Sequence, residues 1–319
     1  MLPARLPTRL LAAVLLLLPL AARAARADSL PADVPPLAVV SVAGPAHAIV
    51  GPLNNRTPQN LGNNATFGLV VTDAGLVLID SGGTALGARA ILDAVRTVSD
   101  QPIVAVINTG GQDHRWMGNG VFKALGARII ASNDAVADQR SRADMQMTML
   151  RALVGEDRVA GTEPTPATET FDDALDLTIG GVRLEIRHLG GAHTPGHSYV
   201  WLPDHGVLYT GDGVYVERLL GVLDHSDLLS WIAVFQAMAD LNPAHVVPGH
   251  GSPTTIDRAR ADTLDYLVNL RDRVRAVIAQ GGGEAQALEV DQSAFAHLAN
   301  FDTLARRNAQ QAFIQLEFE

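Results

Sequence analysis

Cysteine is absent from the 319-residue sequence. This excludes disulfide bonds, a thiol nucleophile and every metal site built on thiolates. A metal ion would have to be held by histidine, aspartate, glutamate or main-chain oxygen atoms, a set that favours zinc or a harder divalent ion. The sequence also lacks a serine nucleophile elbow and a phosphate-binding glycine loop, since the run Gly281 to Gly283 follows no strand-like segment.

Basic residues are also few, and the formal net charge is -10. An acidic surface argues against nucleic acid or an anionic membrane surface as a partner. Hydrophobic residues make up 47% of the chain, which is enough for a large buried core and excludes disorder of the whole chain.

The N-terminus has the pattern of a secretory signal. Arg5 and Arg9 precede an apolar run at residues 10–22, which is shorter than the roughly 20 residues that a membrane span needs. Small residues follow, and the preferred cleavage point lies after Ala27, with Ala24 as the second choice. We therefore expect a signal peptide at residues 1–27 and export to the periplasm. An extended arm at residues 28–36 and a single domain at residues 37–319, including the C-terminal helices, complete the predicted organisation.

Short β-type runs and longer helical patterns follow one another twice. Strands are predicted at residues 37–42, 46–50, 67–72, 76–79, 103–107, 127–131, 174–179, 182–188, 198–202, 207–209 and 246–247. Helices are predicted at residues 84–98, 116–125, 134–153, 228–239, 254–279 and 301–316, and residues 154–170 as a surface loop. This order indicates an α+β fold with two packed sheets and helices on their outer faces.

Five loop segments each follow a strand-like run and offer a charged group or a metal ligand. They are Asp80-Ser81-Gly82, Asp113-His114, residues 193–197 (HTPGH), Gly211-Asp212 and residues 248–251 (PGHG). A single histidine in a loop is usually a surface residue, but five such loops together point to one shared site.

These loops carry a family resemblance. LVLIDSG at residues 76–82, NTGGQDHRWMGN at 108–119, AHTPGH at 192–197, LYTGD at 208–212 and VPGHG at 247–251 resemble, in order, the motifs of the metallo-β-lactamase superfamily. The resemblance covers residues 40–253 and implies a four-layer αβ/βα sandwich with metal-dependent hydrolase activity. Residues 211–251 and the C-terminal helix look closest to the zinc metallohydrolases associated with quinoprotein relay systems.

The sequence departs from this family in the metal loop. The family pattern is H-x-H-x-D-H, and Thr109 and Gly111 stand where the first two histidines should be. The first metal site would keep only His193 and a share of Asp212, too few ligands for zinc, so we expect it to be empty.

The second metal site is retained in the sequence. The resemblance gives it four ligands, which we expect to converge: Asp113, His114, Asp212 and His250. They could hold one zinc ion, or iron or manganese. Asp113 is then also part of the catalytic centre, and His193, released from ligation, would act as general base.

Further residues are expected to support the ligands or line the pocket. Asp80 should orient a ligand loop through hydrogen bonds, with a helix cap as the alternative. His197 and His225 are candidates for the same supporting roles. Arg115 and Trp116 follow the ligand loop and could shape the pocket, although a tryptophan there is more often part of the core.

Two functions remain open on the sequence. The first is an exported metal-dependent hydrolase acting on a small carbonyl compound: a lactone, thioester, ester or β-lactam. The second is a non-catalytic or accessory periplasmic binding protein that serves a quinoprotein dehydrogenase system. A nuclease of the same fold is disfavoured by the acidic charge, and no membrane span is expected after signal cleavage.

Overall fold

The computed structural model describes residues 30–319. The predicted signal peptide lies outside the described residues. The strands are β1 (Ala38–Ala43), β2 (Ala46–Val50), β3 (Thr66–Thr72), β4 (Gly75–Ile79), β5 (Ile103–Ile107), β6 (Arg128–Ser132), β7 (Glu169–Phe171), β8 (Ala174–Ile179), β9 (Val182–Arg187), β10 (Tyr199–Leu202), β11 (Val207–Tyr209) and β12 (His245–Val247). The α-helices are α1 (Ala85–Arg96), α2 (Asp113–Trp116), α3 (Asn119–Ala124), α4 (Asn133–Val154), α5 (Glu156–Val159), α6 (Leu228–Asp240), α7 (Ile256–Ala259), α8 (Asp265–Ala279), α9 (Glu284–Ala287) and α10 (Phe301–Leu316). Within residues 30–319, no helix is both long and apolar enough to span a membrane.

The strands form two sheets that pack face to face. The first has the order β1-β2-β3-β4-β5-β6-β7 and the second the order β12-β11-β10-β9-β8. Strand β4 shows how the sequence builds the layers, because its successive side chains point to opposite faces. Leu76 and Leu78 pack in the apolar cluster under the helices, whereas Val77 and Ile79 pack in the cluster between the sheets. With helices covering both outer faces, the predicted four-layer α+β sandwich is confirmed.

Two predicted helices are interrupted for local steric or hydrogen-bonding reasons. The helix expected at residues 116–125 splits into α2 and α3 around Gly118, where a Cβ atom would collide with the carbonyl of Ser81. The long helix expected at residues 254–279 contains a π-helical turn at Arg260–Leu264. There the hydroxyl of Thr263 accepts a hydrogen bond from the amide of Tyr215 (2.9 Å) and donates one to its carbonyl (2.6 Å). The π-helical turn therefore fixes the main chain of Tyr215, a residue of the candidate site.

The segment predicted as a loop at residues 154–170 contains the short helix α5 and the start of the edge strand β7. Strand β7 has three residues and a polar sequence, so it carries almost no alternating hydrophobic signal.

The chemistry-bearing loops gather at one edge of the two sheets. Strands β4 and β5 run parallel, as do β11 and β12. The carboxyl ends of parallel strands meet at the same edge, so the loops after these four strands lie side by side.

Candidate active site

Asp80 anchors the site at the end of β4. It has a positive φ of 67°, an uncommon backbone conformation for a residue other than glycine. Its carboxylate accepts hydrogen bonds from the main-chain N–H of Thr109 (2.7 Å) and from the Thr109 hydroxyl. The loop after β5 is thereby fixed against the end of β4.

Three of the expected ligands come together below this loop. The ligand atoms of His114, Asp212 and His250 lie within 4.8 Å of one another, so these buried residues form a group that could hold a metal ion. Nε2 of His114 lies 3.2 Å from Asp212 Oδ2, and Nε2 of His250 lies 3.0 Å from Oδ1. The Tyr215 hydroxyl donates to Asp212 Oδ1 at 3.2 Å.

Arg115 occupies the centre of the same cluster. Its Nε donates to Oδ2 of Asp212 (3.1 Å) and its Nη2 to Oδ1 (2.6 Å), a two-pronged pairing with one carboxylate. Nη1 donates to Asp80 (2.9 Å) and to the carbonyl of Thr66 (3.0 Å), and Nη2 also donates to the carbonyl of Gly249 (2.9 Å). All five N–H donors of this buried guanidinium are satisfied.

Asp113 is not part of the three-residue cluster because a second arginine holds it. Arg56 donates to both carboxylate oxygens, with Nε at 2.6 Å from Oδ2. Nη2 of Arg56 also lies 3.1 Å from Nδ1 of His114. A third arginine, Arg218, contacts His250 as Arg56 contacts His114: its Nη1 lies 3.4 Å from Nδ1 of His250.

The place of the two missing histidines is filled. The hydroxyl of Thr109 is bonded to Asp80, and a Cβ atom at Gly111 would collide with the carboxylate of Asp138. Arg142 binds both oxygens of Asp138 from the next turn of α4, with Nε at 2.6 Å from Oδ1. An ion pair thus stands against the loop where the family has an imidazole.

Burial and ion pairing act in opposite directions on the buried acids. Burial is the largest single effect on Asp113 and would raise its pKa, but the charges and hydrogen bonds of Arg56 and His114 together outweigh it and lower the pKa. Burial acts in the same way on Asp212, but the charges of Arg115 and His114 and the hydrogen bonds of His114 and His250 together keep its pKa well below the usual value. For Asp80 burial prevails, and its pKa is raised although Arg115 is adjacent.

A cavity of about 430 Å³ opens above the cluster. Its lining includes His114, His193 and His250. Its charged lining is mainly basic, with four arginines against one aspartate: Arg56, Arg142, Arg218, Arg307 and Asp224. Apolar side chains complete the wall: Met145, Met149, Leu223 and Leu304. The cavity wall therefore combines basic and apolar side chains.

Arg218 is the arginine whose charge is least compensated. It is 5% exposed, and within residues 30–319 no carboxylate lies at ion-pair distance from it. Its Nε has no hydrogen-bond partner in the described part of the chain. Burial lowers the pKa of Arg218, yet an arginine stays charged at physiological pH. A buried, unpaired guanidinium beside a cavity is a natural partner for an anion.

His193 faces the same cavity in a defined tautomer. Its Nδ1 lies 3.0 Å from the carbonyl of Gly221, which can only accept, so Nδ1 carries the proton. Burial lowers the pKa of His193 to about 3, so the ring is neutral at neutral pH. Nε2 is therefore unprotonated and able to accept a proton, and the lowered pKa also makes it a weaker base than an exposed imidazole.

The sequence profile of the metallo-beta-lactamase superfamily matches residues 62–250, more than half of the chain. The chain belongs to this superfamily. Within it, the chain is similar to the linear primary-alkylsulfatase of Pseudomonas sp. (strain ATCC 19151), with 26% identity over 241 residues, 64% of this chain and 46% of that protein.

Two solved structures of the metallo-beta-lactamase fold illustrate the likeness. The inverting sec-alkylsulfatase Pisa1 from Pseudomonas sp. superposes with a TM-score of 0.69 and 21% identity, over 89% of this chain and 51% of that one. The metallo-beta-lactamase from Pontibacter korlensis gives a TM-score of 0.57 and 23% identity, over 73% of this chain and 99% of that one. The chain spans about half the length of both alkylsulfatases.

Members of the superfamily generally bind metal ions, so the donor set must be tested. The first site does not fit, because Thr109 and Gly111 replace two imidazoles and Asp138 fills the space. The second site has three ligand atoms at suitable distances, but Arg115 covers both oxygens of its carboxylate, Asp212. As they stand, these residues do not fit a resident metal ion.

The remaining predicted residues have separate positions. His225 lines the cavity, where its Nδ1 pairs with Asp224 (2.6 Å) and its Nε2 lies 3.0 Å from Arg142. His197 is buried behind the site against Gly213, and burial lowers its pKa to about 3. Trp116 lies in the core and donates to the carbonyl of Gly111 at 3.1 Å.

Sequence reasoning did not find the arginines that surround the acids. Arg56 and Arg218 lie far along the chain from the groups that they contact, whereas Arg142 lies one helical turn from Asp138, and none of the three belongs to one of the five motifs. One signal was available: a loop that loses metal ligands but keeps its aspartates must obtain positive charge from elsewhere.

Proposed function

We propose that this chain is a hydrolase that acts on a small organic anion and uses His193 as its general base. One observation supports this function: an unprotonated imidazole nitrogen of His193 and the unpaired, buried guanidinium of Arg218 face the same cavity. The first can activate water, and the second can hold a negative group.

The reaction can be written for a carbonyl substrate such as an ester, thioester, lactone or β-lactam. Nε2 of His193 takes a proton from a water molecule while the water oxygen forms a bond to the carbonyl carbon. The bond to the leaving group then breaks, and His193 returns the proton to the leaving atom. Arg218 holds the anionic group of the substrate and thereby positions the reacting bond.

The basic lining selects the substrate class more sharply than the family does. Arg218 and Arg307, which have no carboxylate at ion-pair distance within residues 30–319, favour an anion, and Met145 and Met149 favour one that also has an apolar part. The name of one relative, a linear primary-alkylsulfatase, adds sulfate esters to the substrates worth testing. We rank anionic acyl esters and sulfate esters first.

The test uses pairs of substrates that differ only in charge. Turnover is measured for an aryl hemisuccinate and its neutral methyl ester, an alkyl sulfate, a lactone, a thioester and a β-lactam, with and without added zinc. We expect the anionic member of the pair to be preferred, and His193→Gln to lower kcat at least about 100-fold. Arg218→Gln should raise KM for the anionic ester alone.

Two matched variants control for general effects. His297→Gln changes an exposed histidine, and Arg128→Gln an arginine that pairs with Glu169 at the surface. Both should leave the kinetics unchanged. Equal kcat/KM for charged and neutral esters, or full activity of His193→Gln, would refute the proposal.

The one-metal hydrolase expected from the sequence is the second candidate. Its supporting observation is His250, whose buried Nε2 has no well-directed hydrogen bond within residues 30–319 although Asp212 is near. In this scheme one zinc, iron or manganese ion would be held by His114, Asp212 and His250 once Arg115 has moved, and by the fourth expected ligand, Asp113, once Arg56 has released it. The assay with added metal decides: turnover that requires zinc would favour it.

Tight binding of anions without turnover of any substrate would support an accessory binding role instead. A periplasmic partner, such as a quinoprotein dehydrogenase, belongs to this alternative. Export is part of both proposals. Fractionation of cells that express the full chain should give a periplasmic product beginning at Asp28, and a cytoplasmic product that begins at Met1 would overturn it.

A further inference from the structure

We propose that guanidinium groups have taken over the charge-balancing role of the metal ions, so that this protein folds and binds its ligand without a resident metal. This goes beyond the proposed hydrolase function, which would stand whether or not an ion is present.

The buried charges around the site balance without an ion. Three guanidinium groups pair with four carboxylates, and the buried Arg218 supplies a fourth positive charge nearby without an ion pair: Arg56, Arg115 and Arg142 with Asp80, Asp113, Asp138 and Asp212. All four acids are at most 7% exposed. A divalent cation would add two positive charges to a buried region that is already neutral, and buried uncompensated charge is strongly unfavourable.

The donors also cover the atoms that an ion would use. Arg56 binds both oxygens of Asp113, and Arg115 binds both oxygens of Asp212. Such paired contacts match the geometry of the carboxylate and are stronger than single ones. An ion would have to replace two of them for each carboxylate that it gained.

The imidazoles of the cluster face arginines on their other side. Nη2 of Arg56 lies 3.1 Å from Nδ1 of His114, which also lies 3.4 Å from a carboxylate oxygen of Asp113. Nη1 of Arg218 lies 3.4 Å from Nδ1 of His250. At Nδ1 of His250 a guanidinium therefore stands where a metal-ligating histidine usually donates to a carboxylate or a carbonyl.

The primary test measures metal in the unaltered protein. The full chain is produced with zinc in the medium, and its metal content is measured after gel filtration. We expect well under one equivalent of zinc and the same Tm with and without a chelator. One tightly held equivalent that disappears in Asp212→Asn, or a Tm that falls on chelation, would overturn the proposal.

A gain of binding provides the second test. Arg56→Gln releases Asp113 and Nδ1 of His114 while Arg115 stays in place. We expect this variant to bind zinc at least about tenfold more tightly than the unaltered chain, measured by calorimetry and by the visible spectrum of bound cobalt. Arg128→Gln removes the same charge at the surface and should change nothing. Unchanged zinc affinity in Arg56→Gln would count against the proposal, and neither result depends on catalytic activity.

Discussion

Replacing Arg115 by methionine should expose how much of the fold depends on the arginine at the centre of the site. Methionine keeps much of the apolar stem but removes five hydrogen bonds, two of them to Asp212 and one to Asp80. Removing one partner of a buried ion pair costs about 3–5 kcal/mol, because the other charge stays buried. Two main-chain carbonyls, of Thr66 and Gly249, also lose this donor, at about 1–3 kcal/mol each where no water replaces it.

These contributions are not additive, since Asp212 can take up a proton and the site can relax. We therefore expect a loss of at least about 4 kcal/mol, a large share of the roughly 5–15 kcal/mol that stabilises a typical protein. Urea unfolding followed by circular dichroism measures it. Arg115→Lys should recover only part of the loss, because an ammonium group cannot reproduce the fork that contacts Asp80 and Asp212 together.

The control is Arg128→Met, which breaks the exposed ion pair with Glu169 and should cost less than about 1 kcal/mol. If Arg115→Met were no more destabilising than this control, the idea that its guanidinium neutralises the buried acids would be wrong.

Three further predictions concern packing, pH and charge. Gly111→Ala should lower the free energy of unfolding by about 1–3 kcal/mol, since its Cβ atom meets Asp138; a thermal melt equal to that of the unaltered chain would contradict this. Burial lowers the pKa of His197 in the folded state to about 3, whereas its pKa in the unfolded state is about 6.5. Between these two values only the unfolded state binds the proton. At pH 5 this difference should lower the free energy of unfolding by about 2 kcal/mol. The urea midpoint should therefore fall between pH 7 and 5, and fall less in His197→Gln. Arg218→Gln should lower Tm much less than Arg115→Met, because Arg218 forms no ion pair within residues 30–319 although its charge completes the local balance; a decrease as large as that of Arg115→Met would show that Arg218 is compensated structurally.

The sequence was sufficient for the layers and for the position of the site. Alternating side chains such as those of β4 encode which face packs on the helices and which on the other sheet. The loops that carry His114, Asp212 and His250 follow strands whose ends meet, and these three expected ligands lie together, whereas the fourth, Asp113, pairs with Arg56 instead. These features are local patterns repeated in a fixed order.

The arginine partners of the acids could not be predicted in this way, because a long flexible side chain can reach a carboxylate from many places in the chain. Arg56 approaches Asp113 from a loop without a motif, while Arg142 reaches Asp138 from one helical turn away. What the sequence does constrain is the sum of the charges: the loss of two metal-binding histidines with retention of the aspartates requires added positive charge or protonation.

The two substitutions in the metal loop are therefore coupled to the arginines rather than independent losses. Without an imidazole at residue 111, the space beside the loop accommodates the carboxylate of Asp138, which brings Arg142 to the edge of the cavity. Arg115 in turn satisfies the carboxylate that two metal ions would otherwise share. The double variant Thr109→His, Gly111→His, which introduces both histidines of the family pattern, would place two imidazoles among positive charges and against Asp138. We expect such a double variant to lose stability without gaining a metal ion, whereas zinc binding together with an unchanged Tm would show that the arginines are not an obstacle.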